Sequence, residues 1–206
     1  AADLNYAVGG NIGVPALDLF MELRDLYILE LSSFQLETTH SLNCISATCL
    51  NISEDHMDRY TDLEAYRQAK LSLYGQTKHT LFNRDDAQTK PNDPMNQNSF
   101  GLSIPSDDEW GIREGKIVHG ATEIMNLQDV ALAGSHNHLN LLAAMALAYR
   151  AGVDKESMIQ VAMTFTGLTH RCELVAVYHD VSYINDSKAT NVGATVAALE
   201  GFSDHL

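Results

Sequence analysis

Lys70 stands seven residues after Leu63, four after Tyr66, and three and four before Leu73 and Tyr74. Helical spacing puts those four apolar side chains on one stripe, and Lys70 falls within it. A lysine so placed either snorkels at the stripe's edge or is desolvated, which depresses its pKa and leaves a reactive neutral amine. Such an amine can take up CO2 to become a carbamate, an oxygen ligand for a metal. The block Glu54-Asp55-His56-Met57-Asp58 follows an apolar run, the place where α/β sheets build their sites. Acids beside a histidine suit Mg2+ or Mn2+, and they equally suit a solvated turn that caps a helix. Glu30 closes the run Leu26 to Leu31; a second strand end beside the first would converge on the same site.

Other segments carry weaker signals. Gly9-Gly10-Asn11-Ile12-Gly13 is glycine-rich but lacks the G-x-G-x-x-G spacing, and by itself reads as a turn. The only Gly-Lys pair, Gly115-Lys116, is followed by Ile117, so no phosphate-cradling G-x-x-x-x-G-K-[ST] loop is present. Asn137 and Asn140 stand near the start of an apolar helix, where carboxamides cap or read an adenine edge. Cys44, Cys49 and Cys172 are odd in number and form no C-x-x-C pair. They read as reduced packing thiols of a cytoplasmic protein.

The elements that must position these residues alternate. Leu26 to Leu31 predicts a buried strand, and Ser32 with Gln35 a capping box opening a helix to about His40. Ile45 to Ile52 predicts a second, neighbouring strand. Thr61 and Glu64 form another capping box, opening a helix to about Gln76, and His79 to Asn83 a third strand. Strands alternating with helices imply an α/β domain with a parallel sheet. The rhythm is lost from Arg84 to about Ala133, apart from a hairpin of Trp110 to Val118 turning near Gly115. A buried helix follows over His136 to Arg150. Asp154 caps the next, with Met158, Val161, Ala162 and Phe165 on its apolar face and Gly167 as its stop. Cys172 to Ile184 alternates like a hairpin turning at His179-Asp180, and a last helix spans about Asn191 to Glu200. A domain boundary is expected near Leu168, giving units 1–168 and 169–206.

Composition bounds the function. The 206 residues are 45% apolar and 19% charged, an ordinary folded composition amounting to one domain and part of another at ~150 residues each. Thirteen Lys+Arg against 27 Asp+Glu give a net charge of −14. That balance excludes a basic footprint for nucleic acid or anionic lipid, and no apolar run is long enough to span a membrane.

In order, the segments resemble the Mur ligase family of ATP-dependent amide-forming enzymes of peptidoglycan precursor synthesis. The resemblance rests on Gly9 to Gly13, Leu29 to Glu37, Asn51 to Tyr60, Tyr66 to Lys70, Ser135 to Asn140, Phe165 to Arg171 and Ile184 to Asn191. It covers nearly the whole chain and is weakest across residues 84–131. Ser32 to Gln35 and Asn185 to Asn191 resemble the members that add D-glutamate to UDP-N-acetylmuramoyl-L-alanine. The resemblance implies a central ATPase domain, with a mainly parallel sheet flanked by helices, and the start of a Rossmann-like C-terminal domain. The family's N-terminal domain, its phosphate loop and most of its third domain would lie outside this chain.

By the same resemblance, Glu30, His56 and a carbamylated Lys70 would hold or orient Mg2+ (or Mn2+) beside the ATP γ-phosphate. Asn11, Ser32 and His56 would face the UDP-muramoyl-alanine substrate. Asn137, Asn140, Arg171 and Asp186 would contact ATP, and Lys188 and Thr190 would lie near nucleotide and D-glutamate. A cytoplasmic monomer is expected. The rivals are a metallohydrolase built on Glu30, Asp55, His56 and Lys70, a folylpolyglutamate-type ligase, and a noncatalytic nucleotide-binding module.

Overall fold

A computed structural model describes residues 4–93, 97–190 and 192–200. The chain opens with strand β1 (Tyr6–Gly10), the short helix α1 (Ala16–Leu19), strand β2 (Leu26–Glu30) and helix α2 (Ser33–Glu37). Strand β3 (Cys44–Cys49), helix α3 (Leu63–Leu71) with a 3-10 turn over Ser72–Gln76, and strand β4 (Thr77–Asn83) follow. A 3-10 turn at Ala87–Thr89 leads to strands β5 (Gln97–Phe100), β6 (Trp110–Arg113), β7 (Lys116–His119) and β8 (Thr122–Asn126). Helices α4 (Ser135–Arg150) and α5 (Lys155–Thr164), strands β9 (Glu173–Tyr178) and β10 (Val181–Asn185), and helix α6 (Val192–Glu200) complete it.

The main sheet has six strands in the order β3-β4-β5-β6-β7-β8. The joins from β3 to β6 are parallel, and the last two antiparallel. This is the expected α/β architecture, a mainly parallel sheet flanked by helices. The stretch after Arg84, where no helix pattern can be read, extends this sheet. Its hairpin turns on Glu114 and Gly115, at φ 50° and 71°, the left-handed pair that a two-residue turn requires.

Register puts Thr48 opposite Leu81 and Cys49 opposite Phe82, so Leu81 and Cys49 point to opposite faces. On the Leu81 face, α4 crosses β3 to β6 and buries Leu142, Ala143, Met145 and Ala146 against Phe100, Trp110 and Ile117. On the Cys49 face, α3 buries Tyr66 and Leu71 with Ile52 and Tyr60. Each fully buried large apolar side chain contributes about 1.5–3 kcal/mol.

Four local expectations are corrected. β2 does not lie beside β3: it pairs in parallel with β1, and the two form a separate sheet. The β1 edge it takes is the one where Gly10 admits the close approach described below. Helix α3 is capped by Asp62, not Thr61, since the Asp62 carboxylate accepts from Ala65 N at 2.8 Å. Helix α2 stops at Glu37, short of His40, its end turned by Thr38. On α5, Met158 and Ala162 are buried while Val161 and Phe165 stay exposed, because only one narrow face meets α4 and β8.

Strands β9 and β10 pair antiparallel with each other through a turn at His179 and Asp180 (φ 48° and 61°). Among the described residues they form a sheet of their own, joined to neither other sheet. Asn191, expected to open α6, lies outside the described residues.

Candidate active site

Glu30 ends β2 with its carboxylate exposed. Asn11 is brought beside it from β1: Asn11 N donates to Glu30 O at 2.7 Å, and Asn11 Nδ2 to Glu30 Oε1 at 3.3 Å. Glycine is required for this. A Cβ on Gly10, at φ +110°, would stand 2.3 Å from Glu30 O, and one on Gly9 would stand 2.2 Å from Val14 O. The glycine-rich segment is therefore a close-approach device that pairs two of the expected site residues.

Beyond Glu30 the chain turns into α2 through the expected capping box. Gln35 N donates to Ser32 Oγ at 3.3 Å, and Ser32 N to Gln35 Oε1 at 2.9 Å. Ser32, expected at the substrate, has its hydroxyl occupied in this cap. The box aims Phe34 outward at His56, ring centroids 4.9 Å apart, and stacks it on Tyr60 at 6.0 Å. Arg59 reinforces the junction by donating to Glu37 at 2.8 Å.

His56 tops a tight turn at φ 56°, a left-handed conformation that histidine tolerates better than most side chains. Its carbonyl accepts from Arg59 N and Tyr60 N, and its own N–H donates to Asp55 Oδ1 at 2.9 Å. The ring is 45% exposed and meets the edge of Tyr66 at 6.3 Å. Lys70, one helical turn beyond Tyr66, holds its amine 5.0 Å from the centre of the same ring. The lysine is half-buried. Its charge is felt by Cys49, whose thiol burial pushes up to about 11 while the Lys70 amine draws it down. Tyr66 is thus the common neighbour of His56 and Lys70, and Phe34 links His56 to the helix that follows Glu30. Neither aromatic was singled out from the sequence as a site residue; the signal available was Tyr66 on the Lys70 stripe.

No hydrogen bond or ion pair among the described residues joins Glu30 to His56 or Lys70, and no three His, Cys, Asp or Glu side chains cluster to hold a metal. Mg2+ fills most of its shell with water and substrate phosphate oxygens, so one or two anionic side chains suffice, and Glu30 with a Lys70 carbamate would fit that need.

The residues expected at ATP and D-glutamate fall into two groups. Asn137 is half-buried, its Nδ2 donating to Ala133 O at 2.7 Å, and Asn140 is exposed on the same helix. Asn137 does not cap α4, which begins after Gly134. At the base of the β9–β10 hairpin, Asp186 accepts from Cys172 N at 3.0 Å, Lys188 N donates to His170 O and Arg171 N to Leu168 O. The Arg171, Lys188 and Thr190 side chains are exposed. No hydrogen bond or ion pair among the described residues connects the two groups.

Residues 5–148 match the family model described as the Mur ligase middle domain. Over all 206 residues the chain is 77% identical to UDP-N-acetylmuramoylalanine–D-glutamate ligase from Shewanella violacea, and over 205 residues 67% identical to the same-named protein of Shewanella oneidensis. It covers 46% and 47% of those relatives, so it spans about half their length. Among solved structures, a pseudomurein peptide ligase type C from Methanothermus fervidus superposes at TM-score 0.72 with 17% identity, over 97% of this chain and 51% of that one. MurF from Acinetobacter baumannii gives 0.70 and 16%, over 94% and 47%; both likenesses concern the fold. With most of its length matched by that domain model, the chain belongs to the Mur ligase family.

Proposed function

We propose that the full-length protein containing this chain is an ATP-dependent ligase that joins D-glutamate to UDP-N-acetylmuramoyl-L-alanine. The observation that carries this reading is the 77% identity, along the whole chain, to a relative bearing that name. A carboxylate does not react with an amine until it has a leaving group. ATP supplies one: a carboxylate oxygen of the muramoyl-alanine takes the γ-phosphoryl group, giving an acyl phosphate and ADP. The D-glutamate amine then attacks the acyl carbon, and the tetrahedral intermediate expels phosphate and sheds a proton to leave the amide.

The residues divide the work as follows. Glu30, His56 and Lys70 as a CO2-derived carbamate would hold Mg2+ or Mn2+, the carbamate adding an anionic oxygen to that of Glu30. The bound cation supplies positive charge against crowded phosphate and carboxylate oxygens. Tyr66 lies against both the Lys70 amine and the His56 ring, which supports grouping the two. Asn11, Ser32 and His56 face the UDP-linked substrate, Asn137, Asn140, Arg171 and Asp186 face ATP, and Lys188 and Thr190 face the reacting anions. Residues 169–206 begin a C-terminal amino-acid-binding domain whose closure excludes water from the acyl phosphate. The same reading makes the protein a cytoplasmic monomer.

The test is phosphate release by the full-length protein supplied with ATP, Mg2+ and UDP-N-acetylmuramoyl-L-alanine. Release with D-glutamate, but not with L-glutamate, L-lysine or diaminopimelate, is the expected result. Preference for any of the other three overturns the substrate assignment.

A further inference from the structure

The turn that follows β4 is tied to both arms of the site, through side chains that the chemistry above leaves unused. Asn83, buried to 4% exposure, donates from Nδ2 to Leu50 O at 3.0 Å. Asp86 accepts from Ile52 N on one carboxylate oxygen at 2.8 Å and from Gln88 N on the other at 2.9 Å. The bonds to Leu50 and Ile52 grip residues 50–52, the chain leaving β3 on its way to His56. Thr89, fully buried, closes the turn on itself, accepting from Asn83 N at 3.0 Å and standing 2.9 Å from Asp86 O. From the other side comes Arg67, three residues before Lys70, with a side chain only 12% exposed. Its Nε donates to Gln88 O and its Nη2 to Lys90 O, both at 2.7 Å.

We propose that the 83–90 turn is a positioning hub that fixes the His56 loop relative to the Lys70 helix, with Asp86 and Arg67 as its positioning residues. Both bind backbone groups and would act through the loop and helix they hold. Each does something that its nearest analogue cannot. An ionised carboxylate accepts two N–H groups on two oxygens, whereas asparagine has one acceptor oxygen. A guanidinium fork reaches two carbonyls in fixed geometry, whereas an ammonium presents its three donors from one nitrogen with no such fork. The catalytic part of the inference rests on the ligase reading; the positional part does not.

The experiment uses the full-length protein with Asp86→Asn and Arg67→Lys, both close to the original volume. Two readouts are taken: kcat and KM in the phosphate-release assay, and the His56 Cε1–H resonance, identified by its loss in His56→Gln. That resonance senses the Phe34 and Tyr66 rings. Both variants are expected to lower kcat on the order of tenfold or more, with smaller changes in KM, and to shift the His56 resonance while Tm stays close to wild type. Wild-type kcat with an unmoved His56 signal in both overturns the hub, as does a lowered Tm with kcat per folded molecule intact. Should Asp86→Asn not fold, Arg67→Lys decides on the same readouts. If the unsubstituted protein shows no D-glutamate-dependent release, the ligase reading fails, and the His56 resonance still decides whether the hub positions that residue.

Discussion

Lys70 is half-buried, with its amine 5.0 Å from the centre of the Tyr66 ring that the His56 ring also meets. In the full-length enzyme Lys70→Ala should therefore abolish most D-glutamate-dependent phosphate release, and added bicarbonate or a short carboxylic acid should restore part of it. Normal turnover by that variant contradicts the carbamate role. Cys49 gives a second expectation. Burial raises its thiol from the ordinary 9.0 to about 11, so between those values the unfolded chain sheds this proton while the folded chain retains it. The associated stability is present below pH 9 and is lost as pH rises toward 11. Denaturant melts at pH 8 and pH 10.5 should show a smaller drop for Cys49→Ala than for the unsubstituted protein. Lys70 was legible because its aromatic neighbour, Tyr66, lies one turn away on the same helix. Arg67 and Asp86 were not, because their partners lie 21 to 34 residues away in sequence.

Among elements, local chemistry was legible and pairing was not. The Ser32–Gln35 box, the Asp154 cap and both two-residue hairpin turns lie where residue types alone put them. Thr61-Asp62 shows the limit: either residue can cap, and the structure uses Asp62. Asp62→Ala should accordingly cost about 1 kcal/mol of stability, and Thr61→Ala much less; equal losses in urea melts contradict the assigned cap. The partnership of β1 with β2 has no local signature. It depends on glycines that merely read as a turn until Glu30 is set against them. Gly10→Ala, forced against Glu30 O and into a left-handed backbone, should cost about 1–3 kcal/mol and lower ligase activity by parting Asn11 from Glu30. A thermal melt indistinguishable from the unsubstituted protein contradicts that close-approach role.

At the scale of the molecule, two regions leave apolar side chains exposed: Leu17, Met21 and Leu23 around α1, and Leu174, Val177 and Val181 on the β9–β10 hairpin. The chain covers about half of the relatives it matches, and the chemistry proposed needs a phosphate cradle and an amino-acid pocket from the whole protein. The central claim is that the whole protein activates the muramoyl-alanine carboxylate as an acyl phosphate and passes it to D-glutamate. Oxygen transfer tests this most directly. UDP-N-acetylmuramoyl-L-alanine carrying 18O in both oxygens of its free carboxylate is incubated with the full-length protein, ATP, Mg2+ and D-glutamate, and the products are weighed by mass spectrometry. The account predicts one 18O atom in each phosphate released and one left in the new amide of the D-glutamate adduct. Phosphate free of 18O, or phosphate formed without the adduct, would contradict it.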